Sequence, residues 1–258
     1  MLPLVNATAF QREFSSGTTK PCLLLCESKS GEREEYVTKF RSTVRNQESG
    51  LCFECFAAAL AQRLGIPMPE TAIVSINPGL AEAIRVHNPS VGARMLASAG
   101  LNFGSRFLAS HATWPTDRIV PASARQVATD IMAFDALIEN VDRRSANPNV
   151  LALGDDLRAF DHELAFGFIY ELFSERPWID RLAFLTQHVF YTSLRNRELD
   201  LSRFLEALRS LTDSDLEEIC RGIPSEFGVS YLGRICDHIR KASAQADVFS
   251  SALRAVLR

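Results

Sequence analysis

The sequence predicts an α+β protein, with a small strand-rich part over residues 1–108 and a larger, mainly helical part over residues 109–258. Two observations support this division. Residues 6–40 hold short apolar or alternating segments separated by turns rich in Ser, Thr, Gly and Pro, which is typical of antiparallel strands. After residue 123, apolar residues recur at intervals of three and four, which is the period of an amphipathic helix.

In the first part, the pattern predicts one main helix and several strands. The main helix covers residues 51–64, where Leu51 and Cys55 mark an apolar stripe and Gly65 ends the helix. A shorter helix is predicted over residues 78–87. Strands are predicted over residues 6–13, 22–27, 36–40, 71–76, 92–97 and 103–108.

In the second part, the first helix is predicted to begin at Ser123. Ser123 with Gln126 matches the capping-box pattern, and Val127, Ile131 and Phe134 then repeat at helical spacing up to Asn140. This helix should lead directly into a polar loop. Further helices are predicted over residues 179–194, 201–211, 213–221 and 230–257.

Composition limits the classes of partner. A net charge of -3 and a pI near 6.0 give the 258-residue chain no general attraction to nucleic acid or to an anionic membrane. The first residues lack a basic leader, and no run of eighteen apolar residues occurs. We therefore expect a cytoplasmic protein without direct nucleic-acid or membrane partners.

The six cysteines allow two interpretations. Cys52 and Cys55 have the CxxC spacing of zinc sites, and Cys22 with Cys26 would complete a set of four ligands. The first pair lies on a predicted helix, however, and the second pair lies on a predicted strand. Buried free thiols are therefore the better interpretation.

The stretch from Asn140 to Asp161 carries the strongest chemical signal. A polar loop is followed by a predicted hairpin, which returns Asp161 beside the loop that holds Asp142 and, five positions later, Asn147. Carboxylate and amide oxygens suit magnesium, and a second carboxylate can take a hydroxyl proton. This combination indicates phosphoryl transfer, although polar residues also collect in purely structural turns.

Lys39 and Glu54 form a second candidate pair. Lys39 lies in a predicted strand, on the face opposite Phe40, and Glu54 interrupts the apolar start of the main helix. A buried carboxylate needs a partner, and a strand lysine followed by a helix glutamate orients nucleotide phosphates in protein kinases. Each residue alone also fits a solvated surface position.

Several short motifs follow one another in the central stretch: Asn140-Val141-Asp142-Arg143 with Asn147 and Asn149, then Phe160-Asp161-His162 with Ala165-Phe166. Together they resemble the HipA-like serine/threonine kinases, in which arginine follows the aspartate, as it also does in phosphatidylinositol kinases. Two positions depart from the pattern. Arg144 stands where these families often carry histidine, and His162-Glu163 follows Asp161 in place of Phe-Gly, so neither that histidine's role nor a Phe flip is carried over.

The resemblance implies a two-lobed, protein-kinase-like fold that uses ATP and Mg²⁺. It implies that Lys39 binds the nucleotide phosphates, that Glu54 orients Lys39, and that Asp142 takes the proton of the acceptor hydroxyl. Asn147 and Asp161 are then the magnesium ligands.

The resemblance also implies two further nucleotide contacts. Hydroxyl-rich loops cover the ATP phosphates in HipA-like kinases, so Ser16, Gly17 and Thr18 are candidates for this role, although the turn alone also fits an ordinary hairpin. Phe107 belongs to residues 103–108, which are the candidate linker at the adenine by position alone; an ordinary strand end fits this segment equally well. The hydroxyls available for autophosphorylation in this loop belong to Ser15, Ser16, Thr18 and Thr19.

We therefore expect an ATP- and Mg²⁺-dependent phosphotransferase that acts on serine or threonine of an unknown protein substrate, with an antitoxin-like or regulatory partner. Three alternatives stay open. The chain could be a nucleotide-binding pseudokinase, which pairing of Arg144 with Asp142 would favour by lowering the basicity of Asp142. It could also be a small-molecule or lipid kinase, or a mainly helical scaffold.

Overall fold

The computed structural model describes residues 2–15, 19–45, 49–170 and 176–258. The chain has a mixed α and β fold. Its strands are β1 (Leu4–Glu13), β2 (Cys22–Ser28), β3 (Arg33–Lys39), β4 (Thr71–Ile76), β5 (Gly100–Arg106), β6 (Ala112–Thr113), β7 (Val150–Leu153) and β8 (Asp156–Ala159). Its α-helices are α1 (Gly50–Leu64), α2 (Pro78–His87), α3 (Pro89–Ala97), α4 (Arg125–Ile138), α5 (Pro177–Asp180), α6 (Tyr191–Leu194), α7 (Ser202–Ser210), α8 (Asp213–Arg221), α9 (Leu232–Ala244) and α10 (Ala246–Val256).

The chain folds into two compact units. The first unit comprises residues 1–55, 69–109 and 221–229. The second unit comprises residues 56–68, 110–220 and 230–258, so that the division falls within α1.

In the first unit, five strands close into a barrel in the order β1-β2-β3-β5-β4. The neighbouring strands are antiparallel, except that β1 pairs with β4 in parallel. Side chains alternate along β3, where Tyr36 and Thr38 are buried and Lys39 is on the other face. Phe40 follows the strand and is also buried, so Lys39 lies on the face opposite Phe40, as the alternation predicts.

The predicted strand over residues 92–97 is wrong, because this segment belongs to α3. Pro89 occupies the first turn, and the side chain of Asn88 accepts a hydrogen bond from the Val91 N–H at 3.3 Å. Gly92 permits α3 to approach α2 closely, since a Cβ there would lie 2.3 Å from the Cα of Arg85. The predicted helix over residues 78–87 is confirmed as α2.

In the second unit, α4 is the central helix and is buried from Ala128 to Ile138. The predicted Ser123 cap is wrong. Ser123 lies inside a 3-10 turn over Ala122–Ala124, and a residue within that turn cannot take the extended conformation of an N-cap. The predicted hairpin is confirmed as β7 and β8, which pair from Val150–Ala159 to Leu153–Asp156.

Two long predicted helices near the C-terminus are interrupted. Residues 179–194 contain the end of α5, a 3-10 helix over Leu182–Gln187 and α6. Residues 230–257 contain α9 and α10, which are separated at Gln245. The predictions over residues 201–211 and 213–221 are confirmed as α7 and α8. Across the ranges that the structure describes, no helix is both long enough and apolar enough to cross a membrane.

All six cysteines carry free thiols. Cys22, Cys26, Cys52 and Cys55 are buried in the first unit, where they pack as apolar side chains. Burial raises the pKa of the Cys22 thiol to about 11 and that of Cys26 to about 12. The thiols of Cys22 and Cys26 are therefore protonated at neutral pH.

Candidate active site

The loop after α4 brings Asp142 and Asn147 together. Backbone hydrogen bonds in both directions between Arg144 and Asn147 close a tight turn, with N···O distances of 3.1 Å and 2.9 Å. The Asn147 Nδ2 then donates to the Asp142 Oδ2 at 2.7 Å. Because the amide nitrogen faces Asp142, the amide oxygen is the Asn147 atom suited to a cation.

Asp142 also has a cationic neighbour. The Arg144 Nη2 lies 3.3 Å from the Asp142 Oδ1, and the Arg144 side chain is 50% exposed while that of Asp142 is 14% exposed. An ion pair with one half-exposed partner is weak, because water screens it. Arg144 can therefore leave Asp142 at little cost.

The β7–β8 hairpin returns Asp161 to this loop. The Phe160 N–H donates to the Asn149 carbonyl at 3.0 Å, and Asp161 then takes a left-handed conformation with φ of 63°. The carboxylate oxygens of Asp161 and Glu163 lie within 4.8 Å of each other. Two carboxylates at this separation form a set of hard oxygen ligands that suits a divalent cation such as Mg²⁺.

A buried arginine connects the loop and the hairpin. The side chain of Arg143 is 0% exposed, and its Nε and Nη2 donate to the Asp135 carboxylate at 2.6 Å and 3.2 Å. Its Nη1 donates to the carbonyls of Asn149 and Phe160, the latter at 2.9 Å. Its Nη2 lies 2.8 Å from the His162 Nε2, which must accept because arginine has only donors.

Asp135, on α4, is the anion at the centre of this network. The Asn140 Nδ2 and the His188 Nε2 each lie 2.9 Å from its carboxylate. The His188 Nδ1 accepts the Phe190 N–H at 3.1 Å, so the Nε2 carries the proton and donates to Asp135. Burial alone would raise the pKa of Asp135, but Arg143 and His188 hold that pKa well below its usual range. Burial is also the main cause that lowers the pKa of His188.

The first unit brings Lys39 and Glu54 together. The Lys39 Nζ, at the end of β3, lies 2.5 Å from the Glu54 Oε1 on α1. Their side chains are 12% and 1% exposed. The strand lysine and the helix glutamate therefore form the ion pair that the sequence order indicates.

The remaining predicted nucleotide contacts have mixed outcomes. Ser16, Gly17 and Thr18 lie outside the described residues. Phe107 follows β5, and its N–H already donates to the Glu35 carbonyl at 2.8 Å. Its ring centroid lies 6.2 Å from that of Phe14.

Of the hydroxyls named for autophosphorylation, two belong to described residues. Ser15 is exposed, whereas Thr19 is buried. The other two, Ser16 and Thr18, lie outside the described residues.

A family model described as HipA-like kinase matches residues 8–252, which include both the Lys39–Glu54 pair and the Asp142–Asp161 stretch. The chain belongs to the HipA-like kinase family. In fold, this HipA-like kinase is similar to the crystal structure of the Helicobacter pylori proinflammatory kinase CtkA, with a TM-score of 0.50 and 13% identity, covering 90% of this chain and 95% of that chain. None of the curated proteins matches the chain. Membership of this kinase family indicates phosphoryl transfer with ATP as the donor.

The sequence reasoning missed three residues of this HipA-like kinase. Asp135 interrupts the apolar stripe of α4 next to Phe134, and that interruption was the available signal for a buried anion. Arg143 lies in a polar loop, where an arginine is usually exposed to solvent. Its burial could therefore not be predicted from the neighbouring residues in the sequence. Glu163 follows Asp161 by two positions, which was the available signal for a second carboxylate at the same place.

Proposed function

We propose that this HipA-like kinase is a two-lobed, ATP- and Mg²⁺-dependent phosphotransferase that phosphorylates serine or threonine hydroxyls of a protein. Residues 1–108 act as the nucleotide-binding lobe, and residues 109–258 act as the lobe with the catalytic loop. Two observations support the proposal: Asn147 donates to the Asp142 carboxylate, and the hairpin returns the chain next to Asp161 to the end of the same loop, where the Phe160 N–H donates to the Asn149 carbonyl.

Asn147 and Asp161 serve as the magnesium ligands. The donor set fits this ion, because it offers one amide oxygen and the paired carboxylates of Asp161 and Glu163. When bound, Mg²⁺ neutralises negative charge on the phosphates of ATP. Glu163 is a further ligand or a partner that orients Asp161.

Asp142 acts as the proton acceptor for the attacking hydroxyl. The Asn147 amide holds one of its oxygens, and Arg144 faces the other oxygen at the more exposed side. Since the Arg144 contact is weak, an acceptor hydroxyl can replace it and donate its proton to Asp142. Substrate binding and proton removal then occur at the same oxygen.

Lys39 binds the phosphates of ATP, and Glu54 holds Lys39 in place. The Glu54 carboxylate lies 2.5 Å from the nearly buried ammonium group and provides its counter-charge. The turn with Ser16, Gly17 and Thr18 covers the phosphates in this proposal, and the ring or carbonyl of Phe107 contacts adenine. An antitoxin-like or regulatory protein is the proposed partner.

The test is incubation of the protein with ATP and Mg²⁺, followed by mass spectrometry of the protein and by transfer of labelled phosphate to serine- and threonine-containing proteins. We expect phosphate on protein hydroxyls, and loss of transfer in Asp142→Asn.

The Arg144–Asp142 contact favours one second candidate, a pseudokinase that binds nucleotide without turnover. A thermal shift with ATP and Mg²⁺ but without phosphate transfer would favour that candidate.

A further inference from the structure

We infer that Arg143 is the positioning residue that sets the spacing between the proton acceptor Asp142 and the magnesium ligand Asp161. The inference rests on the proposed function. Arg143 is adjacent to Asp142 in the chain, and its side chain contacts the residues on both sides of Asp161, namely Phe160 and His162.

The contacts of Arg143 join three separate segments. Its guanidinium donates to Asn149 at the end of the loop, to Phe160 directly after β8, and to Asp135 within α4. Because the guanidinium is planar and rigid, these donors keep fixed directions relative to one another. Arg143 therefore holds the chain segments of Asp142 and Asp161 at fixed positions relative to the same buried helix, α4.

The main chain of Arg143 is held as well. The Val189 N–H donates to the Arg143 carbonyl at 3.1 Å, and the adjacent His188 donates to Asp135. Both ends of the arginine are thus fixed, and Asp142 is the residue that directly precedes it in the chain. A lysine at position 143 would keep the positive charge but could not donate in three fixed directions at once.

The experiment compares Arg143→Lys with the matched control Arg158→Lys, an arginine of the same hairpin whose side chain is 37% exposed. We expect kcat for phosphate transfer to fall about 100-fold in Arg143→Lys, because a displacement of about 1 Å has that effect on a positioned group. The KM for ATP should change much less than kcat in Arg143→Lys, since Lys39 and Glu54 are unchanged, and neither constant should change in Arg158→Lys. Circular dichroism confirms that each variant is folded.

Chemical rescue supplies the second readout. Added guanidinium ion should restore part of kcat in Arg143→Ala and none in Asp142→Ala, because only the first variant leaves a guanidinium-sized space beside Asp135. If Arg143→Ala does not fold, the comparison of Arg143→Lys with Arg158→Lys tests the positioning role of Arg143. A wild-type protein without turnover would overturn the proposed function, whereas wild-type kcat in folded Arg143→Lys would overturn only the positioning role.

A separate observation carries a second inference, which is independent of the kinase assignment. The structure assigns Cys220 and Cys236 as a dithiol site that a peroxide converts to an intramolecular disulfide. Their Sγ atoms lie 3.4 Å apart, on α8 and α9, so the two sulfur atoms are already in contact, and a disulfide requires them to approach to about 2.05 Å.

Cys220 is the thiol that reacts first. It is partly exposed, whereas Cys236 is buried. The hydrogen bond from Cys236 lowers the pKa of Cys220, and the charge of Arg240 acts in the same direction. The Cys220 thiolate attacks one peroxide oxygen, the O–O bond breaks, and the sulfenic acid forms with release of hydroxide, which takes up the proton that the thiol had lost and becomes water. The Cys236 thiol then displaces water from that sulfenic acid, so two thiols and one hydrogen peroxide give one disulfide and two waters.

The test is treatment of the folded protein with hydrogen peroxide, alkylation, and peptide mass spectrometry. We expect a Cys220–Cys236 cross-linked peptide that dithiothreitol removes, while the buried Cys52 and Cys55 stay free until the protein is denatured. Cys236→Ser should accumulate the sulfenic acid at Cys220. Two unmodified thiols at positions 220 and 236, or over-oxidation of Cys220 without a cross-link, would overturn the assignment.

Discussion

Removal of the Arg143 guanidinium should strongly destabilise the second unit. In Arg143→Met, the Asp135 carboxylate stays 0% exposed and keeps only the neutral donors of Asn140 and His188. Breaking a buried ion pair by removing one partner costs about 3–5 kcal/mol, because a buried charge is left without its counter-charge. This is a large fraction of the roughly 5–15 kcal/mol that stabilises a typical domain.

Urea unfolding measured by tryptophan fluorescence is the appropriate assay. The two tryptophans, Trp114 and Trp178, are both buried and both belong to the second unit, so their emission reports the unit that contains Arg143. The double variant Arg143→Met/Asp135→Asn should be more stable than Arg143→Met, because the uncompensated carboxylate is gone. A loss of less than about 1 kcal/mol in Arg143→Met would show that Asp135 does not depend on this counter-charge, since exposed substitutions usually cost no more than about 0.5 kcal/mol.

The stability that Arg143→Met loses relative to the wild type should depend on pH. In the wild type, the folded pKa of Asp135 is lowered, so its stabilisation is present above the ordinary aspartate pKa and is lost as pH falls below it. In Arg143→Met, burial without the counter-charge should instead raise the pKa of Asp135, and acid then neutralises the unfavourable charge. The stability gap between wild type and variant should therefore be larger at pH 7 than at pH 4.

Three further predictions concern other residues. Lys39→Met should reduce kcat/KM for ATP by about 10- to 100-fold, as expected for loss of a charged hydrogen bond, and unchanged steady-state kinetics with varied ATP would contradict its role. Asp161→Asn should move the Mg²⁺ dependence of turnover to higher concentration, which a magnesium titration of activity measures; an unchanged midpoint would exclude it as a ligand. Burial lowers the pKa of His238 to about 4, so unfolded His238 binds a proton near pH 6.5 while the folded form does not. Stability should therefore fall by about 3 kcal/mol between pH 7 and pH 4 through this residue; urea unfolding of wild type and His238→Gln checks this, and equal pH slopes in the two proteins would contradict it.

Local patterns were sufficient for much of the fold. The alternation along residues 36–40 correctly predicted the face of Lys39, and the periodic segment over residues 213–221 corresponds to α8. Other elements depend on contacts that no local pattern encodes. Residues 92–97 are helical because Asn88 and Pro89 begin a helix that packs closely on α2 at Gly92. The apolar period over residues 230–257 continues through the interruption between α9 and α10.

In the candidate site too, some features follow from local sequence and others depend on contacts between distant residues. The order of oxygen-bearing residues predicted that the hairpin brings Asp161 back to the loop of Asp142 and Asn147, because that approach needs only a loop and a short hairpin. Arg143 and Asp135 could not be assigned in this way. Their role depends on complete burial and on partners such as His188, which lies 53 positions from Asp135 in the chain.

In the proposed function, Asp142 takes a hydroxyl proton during phosphoryl transfer from ATP. The most direct measurement is transfer of labelled γ-phosphate, in the presence of Mg²⁺, by the wild type, by Asp142→Asn, and by the control Asp155→Asn in the exposed turn between β7 and β8. We predict transfer by the wild type and the control, and a loss of at least about 100-fold in Asp142→Asn with ATP binding retained. Equal transfer by Asp142→Asn and the wild type would exclude Asp142 as the proton acceptor.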